Sequence, residues 1–189
     1  MRSFSRNSRK PHRVLGLAVA TSLLLGSAVQ AAEQSHSFVL TAYSNGAGGA
    51  ELVSGDYQRA TEALQHHASV MSMDASSTSN NRCVVLAVTK QWESARKACD
   101  RAVRDAQQEK ALLPSYQYWA RKLKNDYLAV ALSNRAVMHW MASEGDAAAS
   151  DLKRAEGLSP GADFIVRNRA AMEYSRSAVA QVAVAPAGR

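Results

Sequence analysis

Cys83 and Cys99 are the residues whose chemistry follows most directly from their spacing. They are the only cysteines in the chain, and each lies eight residues from a predicted helical turn at residue 91. In an antiparallel helix pair, residues at equal distances from the turn lie level with each other. The spacing therefore predicts a disulfide between the two helices, worth about 3 kcal/mol of stability. The alternative is a pair of buried thiols at small core positions.

The residue types and their spacing give little support for catalysis or for metal binding. The sequence has no motif typical of nucleotide binding, serine hydrolysis or zinc proteolysis. His66 and His67 are adjacent, and neighbouring residues on a helix point about 100° apart, which suits two solvent-exposed side chains better than two metal ligands. We therefore expect no catalytic residues, no cofactor and no metal, and a chain that is not an enzyme. A catalytic site assembled from residues far apart in sequence is the alternative.

The first 31 residues have the pattern of a secretory signal peptide. A basic stretch from Arg2 to Arg13 precedes a short apolar run, and small residues at Val29 and Ala31 suit a cleavage site. The run is too short to span about 30 Å of hydrocarbon. We expect cleavage after Ala31, no integral membrane segment afterwards, and export to the periplasm, with secretion as the alternative.

Most of the net positive charge of the chain lies in the same segment. The chain of 189 residues has a net charge of +7, but residues 1–31 contain five basic residues and no acidic one. Without them the net charge is +2, and nucleic acid is not an expected partner.

Helical periodicity in the rest of the chain predicts an all-α fold. The clearest apolar stripe runs from Trp92 to Ala106 at helical spacing. We predict an extended arm and loop over 32–54 and a helical domain over 55–175. Within that domain an insert covers about 107–125, and a disordered tail follows over 176–189.

A tripeptide of Asn, Arg and a small residue occurs three times, beginning at Asn81, Asn134 and Asn168. The last two copies are 34 residues apart, and an aromatic-x-x-Ala pattern recurs after 35 residues, at Tyr57 and Trp92. A period near 34 in paired helices is typical of tetratricopeptide repeats. The chain resembles that family in this period.

The resemblance covers 76–108 and 126–160, about two full repeats with flanking helices. Cys83 and Ala136 match the small residue of the first helix, and Ala95 matches the alanine at the helix crossing. The chain departs from the family pattern in the 19 extra residues between the first two tripeptides. The resemblance implies a short solenoid of stacked helical hairpins, because one hairpin cannot bury its apolar face alone.

In this family the first helix of each hairpin lines a concave face that binds peptides. The resemblance implies six binding residues here, which are Asn80, Val84, Ser133, Val137, Trp140 and Met141. Coverage of this face by the insert or by the N-terminal arm is the alternative. The insert adds three aromatic candidates, Tyr116, Tyr118 and Trp119, which lie beside basic residues.

We therefore predict an exported, non-catalytic helical-repeat protein that mediates protein–protein interaction as a scaffold or adaptor. Its partner is another protein or peptide. A structural or regulatory accessory protein that self-associates, forming a homo-oligomer, is the alternative.

Overall fold

The computed structural model describes residues 37–66, 75–111 and 118–183, and the side chains as far as residue 177. Within these ranges the secondary structure is helical, without a strand, which confirms the predicted all-α class. The helices in chain order are α1 (Gly49–Ser54), α2 (Tyr57–His66), α3 (Ala75–Val88), α4 (Trp92–Ala111), α5 (Tyr118–Met141), α6 (Gly145–Leu158) and α7 (Asp163–Ala183). The predicted signal peptide and Tyr116 lie outside the described residues.

Helices α3 and α4 form an antiparallel hairpin. The chain turns at Lys90, which adopts a positive φ of 58°, and the Gln91 amide closes the turn by donating to the Leu86 carbonyl over 2.9 Å. The predicted apolar stripe of α4 is buried, apart from its half-buried first residue. Cys83 and Cys99 are fully buried and joined by a disulfide, with their Cα atoms 4.5 Å apart, as the spacing predicted.

Helices α5 and α6 form a second antiparallel hairpin, which packs on α4, and α7 packs on both α5 and α6. Small residues let these helices approach closely. Ala136, Ala148 and Ala155 are fully buried, and Leu132 and Met138 fill the space between the helices. None of the helices in the described ranges has the length and apolar character needed to cross a bilayer.

The helices depart from the predicted elements at three places. The region predicted as arm and loop contains a short helix, α1. The insert over 107–125 is largely helical, because α4 continues to Ala111 and α5 begins at Tyr118. The predicted disordered tail begins inside α7, which continues to Ala183; residues 184–189 lie outside the described residues.

The arm segment, which we define as residues 38–43, runs without regular secondary structure across α7, α5 and α3 in that order. It leads into a tight turn before α1. The Gly46 amide donates to the Tyr43 carbonyl over 3.1 Å, and the Gly49 amide donates to the Gly46 carbonyl over 3.0 Å. A Cβ atom on Gly49 would lie 1.9 Å from the Tyr43 carbonyl oxygen, so only glycine fits there.

Candidate functional site

Three asparagines hold the arm segment by its main chain. Each asparagine accepts a hydrogen bond from the backbone amide of one arm residue, over 2.7–2.8 Å, and donates to the carbonyl of the same residue, over 2.8–2.9 Å. The pairs are Val39 with Asn168, Thr41 with Asn134, and Tyr43 with Asn81. We call Asn81, Asn134 and Asn168 the ladder asparagines. The arm advances two residues, about 6.6 Å, from one ladder asparagine to the next.

Asn134 and Asn168 each donate a second hydrogen bond, to a residue that precedes another ladder asparagine. Both side-chain amide hydrogens of these two asparagines are therefore used. Asn134 donates its second hydrogen to the Asn80 side chain over 2.9 Å, and Asn80 in turn donates to the Thr41 carbonyl over 2.8 Å. Asn168 donates to the Ser133 hydroxyl over 2.9 Å. Because a buried polar group costs free energy unless it is paired, this network depends on the arm being present.

The repeated tripeptide explains why the asparagines lie where they do. Each ladder asparagine is its first residue, on α3, α5 or α7. The arginine that follows points to a neighbouring helix: Arg82 donates to the Leu64 carbonyl, Arg135 pairs with Asp151, and Arg169 pairs with Glu156. One tripeptide therefore anchors both a neighbouring helix and one step of the arm.

The backbone of the arm is bound on one edge only. In an extended segment, the amides and carbonyls of successive residues point to opposite edges. Among the described residues, those of Phe38, Leu40 and Ala42 have no hydrogen-bond partner, and all three residues are half-buried. We call this second edge of the arm, which pairs with none of the described residues, the outward edge.

A cavity of about 430 Å³ adjoins the outward edge. The side chains of Phe38, Leu40 and Ala42 form one wall of it, and the other lining residues are Leu52, Val53, Tyr57, Val84, Val88, Val137 and Met141. We call this the arm cavity. Its lining residues have apolar side chains apart from Tyr57, and its volume lies in the range of ligand pockets, about 300–1,000 Å³.

Tyr43, the last residue of the arm segment, packs against Tyr127. The rings of Tyr43 and Tyr127 meet edge to face with centroids 5.0 Å apart, and the Lys124 ammonium lies 5.2 Å from the centre of the Tyr127 ring. Burial, with the negative charges of Asp126 and Glu109 nearby, raises the pKa of the Tyr43 phenol well above its ordinary value. The phenol is therefore neutral and fixes this end of the arm by packing.

The structure gathers the six predicted residues of the concave face around the arm segment. Asn80 and Ser133 belong to the hydrogen-bond network, Val84, Val137 and Met141 line the arm cavity, and Trp140 packs near Phe38 with ring centroids 6.4 Å apart. That they bind another protein stays a prediction. The arm covers this face, which was the stated alternative.

Two aromatic candidates from the insert are not part of this arrangement. Tyr118 is 80% exposed and Trp119 is 72% exposed on the first turn of α5. Sequence reasoning missed the ladder asparagines as functional residues, although the signal was present in the tripeptide. It found their period but assigned them no partner.

A separate network of charges lies between α4, α5 and α6. Arg135 contacts Asp151 over 2.6 Å and Asp100 over 2.8 Å, and the hydrogen bond to Asp151 raises the pKa of its guanidinium. His139 Nδ1 lies 2.5 Å from a carboxylate oxygen of Glu144. Every acidic group here has a basic partner on a neighbouring helix, so the network links the three helices.

Within the described ranges, no group of three or more histidine, cysteine, aspartate or glutamate side chains is placed to hold a metal ion. The chain matches no protein-family model, no curated protein and no solved structure.

Proposed function

We propose that this chain is an exported, non-catalytic helical-repeat protein whose concave groove mediates protein–protein interaction by holding an extended polypeptide. The observation that carries the proposal is the row of ladder asparagines, each pairing with both the amide and the carbonyl of one residue. Such pairing recognises main chain, which every extended peptide offers, and leaves side-chain preference to the neighbouring surface. The period of the tripeptide and the stacked hairpins support a tetratricopeptide-like solenoid, and the N-terminal pattern and the disulfide support export.

The alternative, a structural or regulatory accessory protein with an internally filled groove, is favoured by a different observation. The groove is occupied by the chain's own arm, whose turn is held by Asn81 through the Ala47 carbonyl over 3.1 Å. The two functions differ in whether the groove can hold an extended segment that another chain supplies.

A peptide-exchange experiment separates them. In the full chain, Thr41→Pro removes the amide that donates to Asn134 and so weakens the arm in its own groove. A fluorescent peptide with the sequence of residues 37–44 should bind this variant. The same peptide with proline at position 41 should bind at least tenfold more weakly, whereas proline at position 42 should be tolerated, because that amide points away from the ladder. Fluorescence anisotropy measures all three affinities. Equal binding of the three peptides, or none, would leave the internally filled groove as the better description.

A further inference from the structure

The arm segment has one backbone edge that makes no hydrogen bond to the described residues. The ladder asparagines take the amides and carbonyls at positions 39, 41 and 43, while Phe38, Leu40 and Ala42 leave theirs unpaired among the described residues. A row of unpaired amides and carbonyls is a template for another extended chain. Natural proteins usually cover or distort such an edge.

The arm cavity lies beside the same three residues. Their side chains form its wall, and Val53, Tyr57 and Met141 at its rim are 70%, 41% and 36% exposed. Exposed large apolar side chains around an apolar cavity indicate a binding surface. The edge offers hydrogen bonds at every second residue, and the cavity accepts apolar side chains. Both features fit an extended peptide with apolar residues at alternate positions.

We propose that an extended segment of another protein adds to the outward edge of the arm as a β strand, with its alternate apolar side chains in the arm cavity. This inference rests on the proposed function and names the surface and the partner class. A free apolar molecule would fill the cavity but leave the edge unpaired. A second copy of this chain is a poor fit, because its own arm already points its apolar side chains into its own cavity.

Two substitutions in the full chain test the two parts of this surface. Ala42→Pro removes an outward amide and places a ring on the edge, while the Thr41 and Tyr43 bonds to the ladder remain. Val53→Glu puts a charge at the rim of the cavity, at a side chain that is 70% exposed. Val166→Glu is the matched control, since Val166 is 54% exposed on α7 and does not line the cavity.

The probe is a library of random octapeptides displayed on phage and selected on the full-length chain. We expect enriched peptides to carry apolar residues at alternate positions and to bind wild type and Val166→Glu equally. Binding to Ala42→Pro and to Val53→Glu should each be at least tenfold weaker. If Ala42→Pro fails to fold, as judged by circular dichroism, Val53→Glu against Val166→Glu decides the result.

Three outcomes would overturn the inference. The first is a selection that enriches no peptide. The second is a set of peptides that bind Ala42→Pro as tightly as wild type, which would mean that they displace the arm; the proposed function would then stand without the edge. The third is a wild-type dimer that Ala42→Pro converts to a monomer in light scattering, which would make a second copy the occupant.

Discussion

Asn134→Asp is the sharpest perturbation of the ladder, because it keeps the shape of the side chain and changes only its hydrogens and charge. Asn134 accepts from the Thr41 amide and donates to the Thr41 carbonyl and to the Asn80 oxygen, over 2.8, 2.8 and 2.9 Å. An ionised aspartate can still accept the first bond. It loses both donated bonds, and its second oxygen faces two oxygen acceptors in a site where Asn134 is fully buried.

The magnitude of this effect must be compared with the docking free energy of the arm. Ordering the six arm residues costs about 1.5 kcal/mol each, or roughly 9 kcal/mol. Seven hydrogen bonds between the arm backbone and asparagine side chains contribute about 1 kcal/mol each. The partial burial of Phe38 and Leu40 adds about 3 kcal/mol. The balance is a small favourable docking energy, on the order of 1 kcal/mol.

The penalty of the buried carboxylate, about 4 kcal/mol, exceeds that docking energy. We therefore expect Asn134→Asp to release the arm at pH 7.5 rather than to unfold the helices. Hydrogen exchange should show the amides of Val39, Thr41 and Tyr43 losing their protection, while urea unfolding of the whole domain shifts by about 2 kcal/mol or less. The released carboxylate is then hydrated, which limits the global cost.

The effect of Asn134→Asp on docking of the arm depends on pH. With the arm docked, the two facing acceptors favour the neutral carboxyl, so docking raises the pKa of Asp at position 134 above the unperturbed value of about 3.9. Docking is then favoured below about pH 4 and is lost as the pH rises through the raised pKa. Protection of the arm should return on acidification in Asn134→Asp but not in Asn134→Ala. Arm amides that stay protected in Asn134→Asp at pH 7.5 would refute the role given to the ladder.

Reducing the disulfide between α3 and α4 should lower the free energy of unfolding by about 3 kcal/mol, measured by urea denaturation with and without reductant; an unchanged midpoint would contradict this. The hydrogen bond from His139, with help from Arg96, lowers the pKa of Glu144, so its contribution to stability is present above the ordinary value of 4.5 and is lost as the pH falls below it. Glu144→Gln should accordingly flatten the acid limb of stability, and an identical pH profile in both proteins would rule this contribution out. Gly49→Ala should destabilise the turn that follows the arm by about 2 kcal/mol, because of the overlap with the Tyr43 carbonyl. Gly157→Ala has nothing within 4 Å of its new Cβ atom and should stabilise α6 by roughly 0.5–1 kcal/mol; thermal unfolding that ranks the two alanine variants in the opposite order would refute both.

Local patterns in the sequence predict much of this fold. The apolar period of α4 and the equal distances of Cys83 and Cys99 from the turn are properties of one hairpin, and both predictions are confirmed. Helix α5 begins at Tyr118, inside the predicted insert, because its first turn is exposed at Tyr118 and Trp119 and needs no apolar stripe. Helix α1 is six residues long between glycines and has no period to detect.

The candidate site depends on contacts that local patterns do not encode. Val39 bonds to Asn168, which is 129 residues away, and Thr41 bonds to Asn134 across 93 residues. The tripeptide revealed the spacing of the asparagines. It did not reveal their partner, because an asparagine on a helix serves a core network, a cap or a ligand equally well. The partner is a short segment whose only distinctive sequence feature is an apolar run at Phe38 to Leu40.

The way in which the groove is filled determines how a second chain can use it. A partner that displaces the arm must replace seven hydrogen bonds and also supply the docking free energy of the arm, on the order of 1 kcal/mol. A partner that adds to the outward edge pays neither cost, and it finds a strand that the ladder asparagines have already ordered. Because the arm is already ordered, less conformational entropy is lost when the partner binds. Under the proposal of edge binding, the arm is part of the binding surface, and the edge at Phe38, Leu40 and Ala42 is the route of lower free-energy cost.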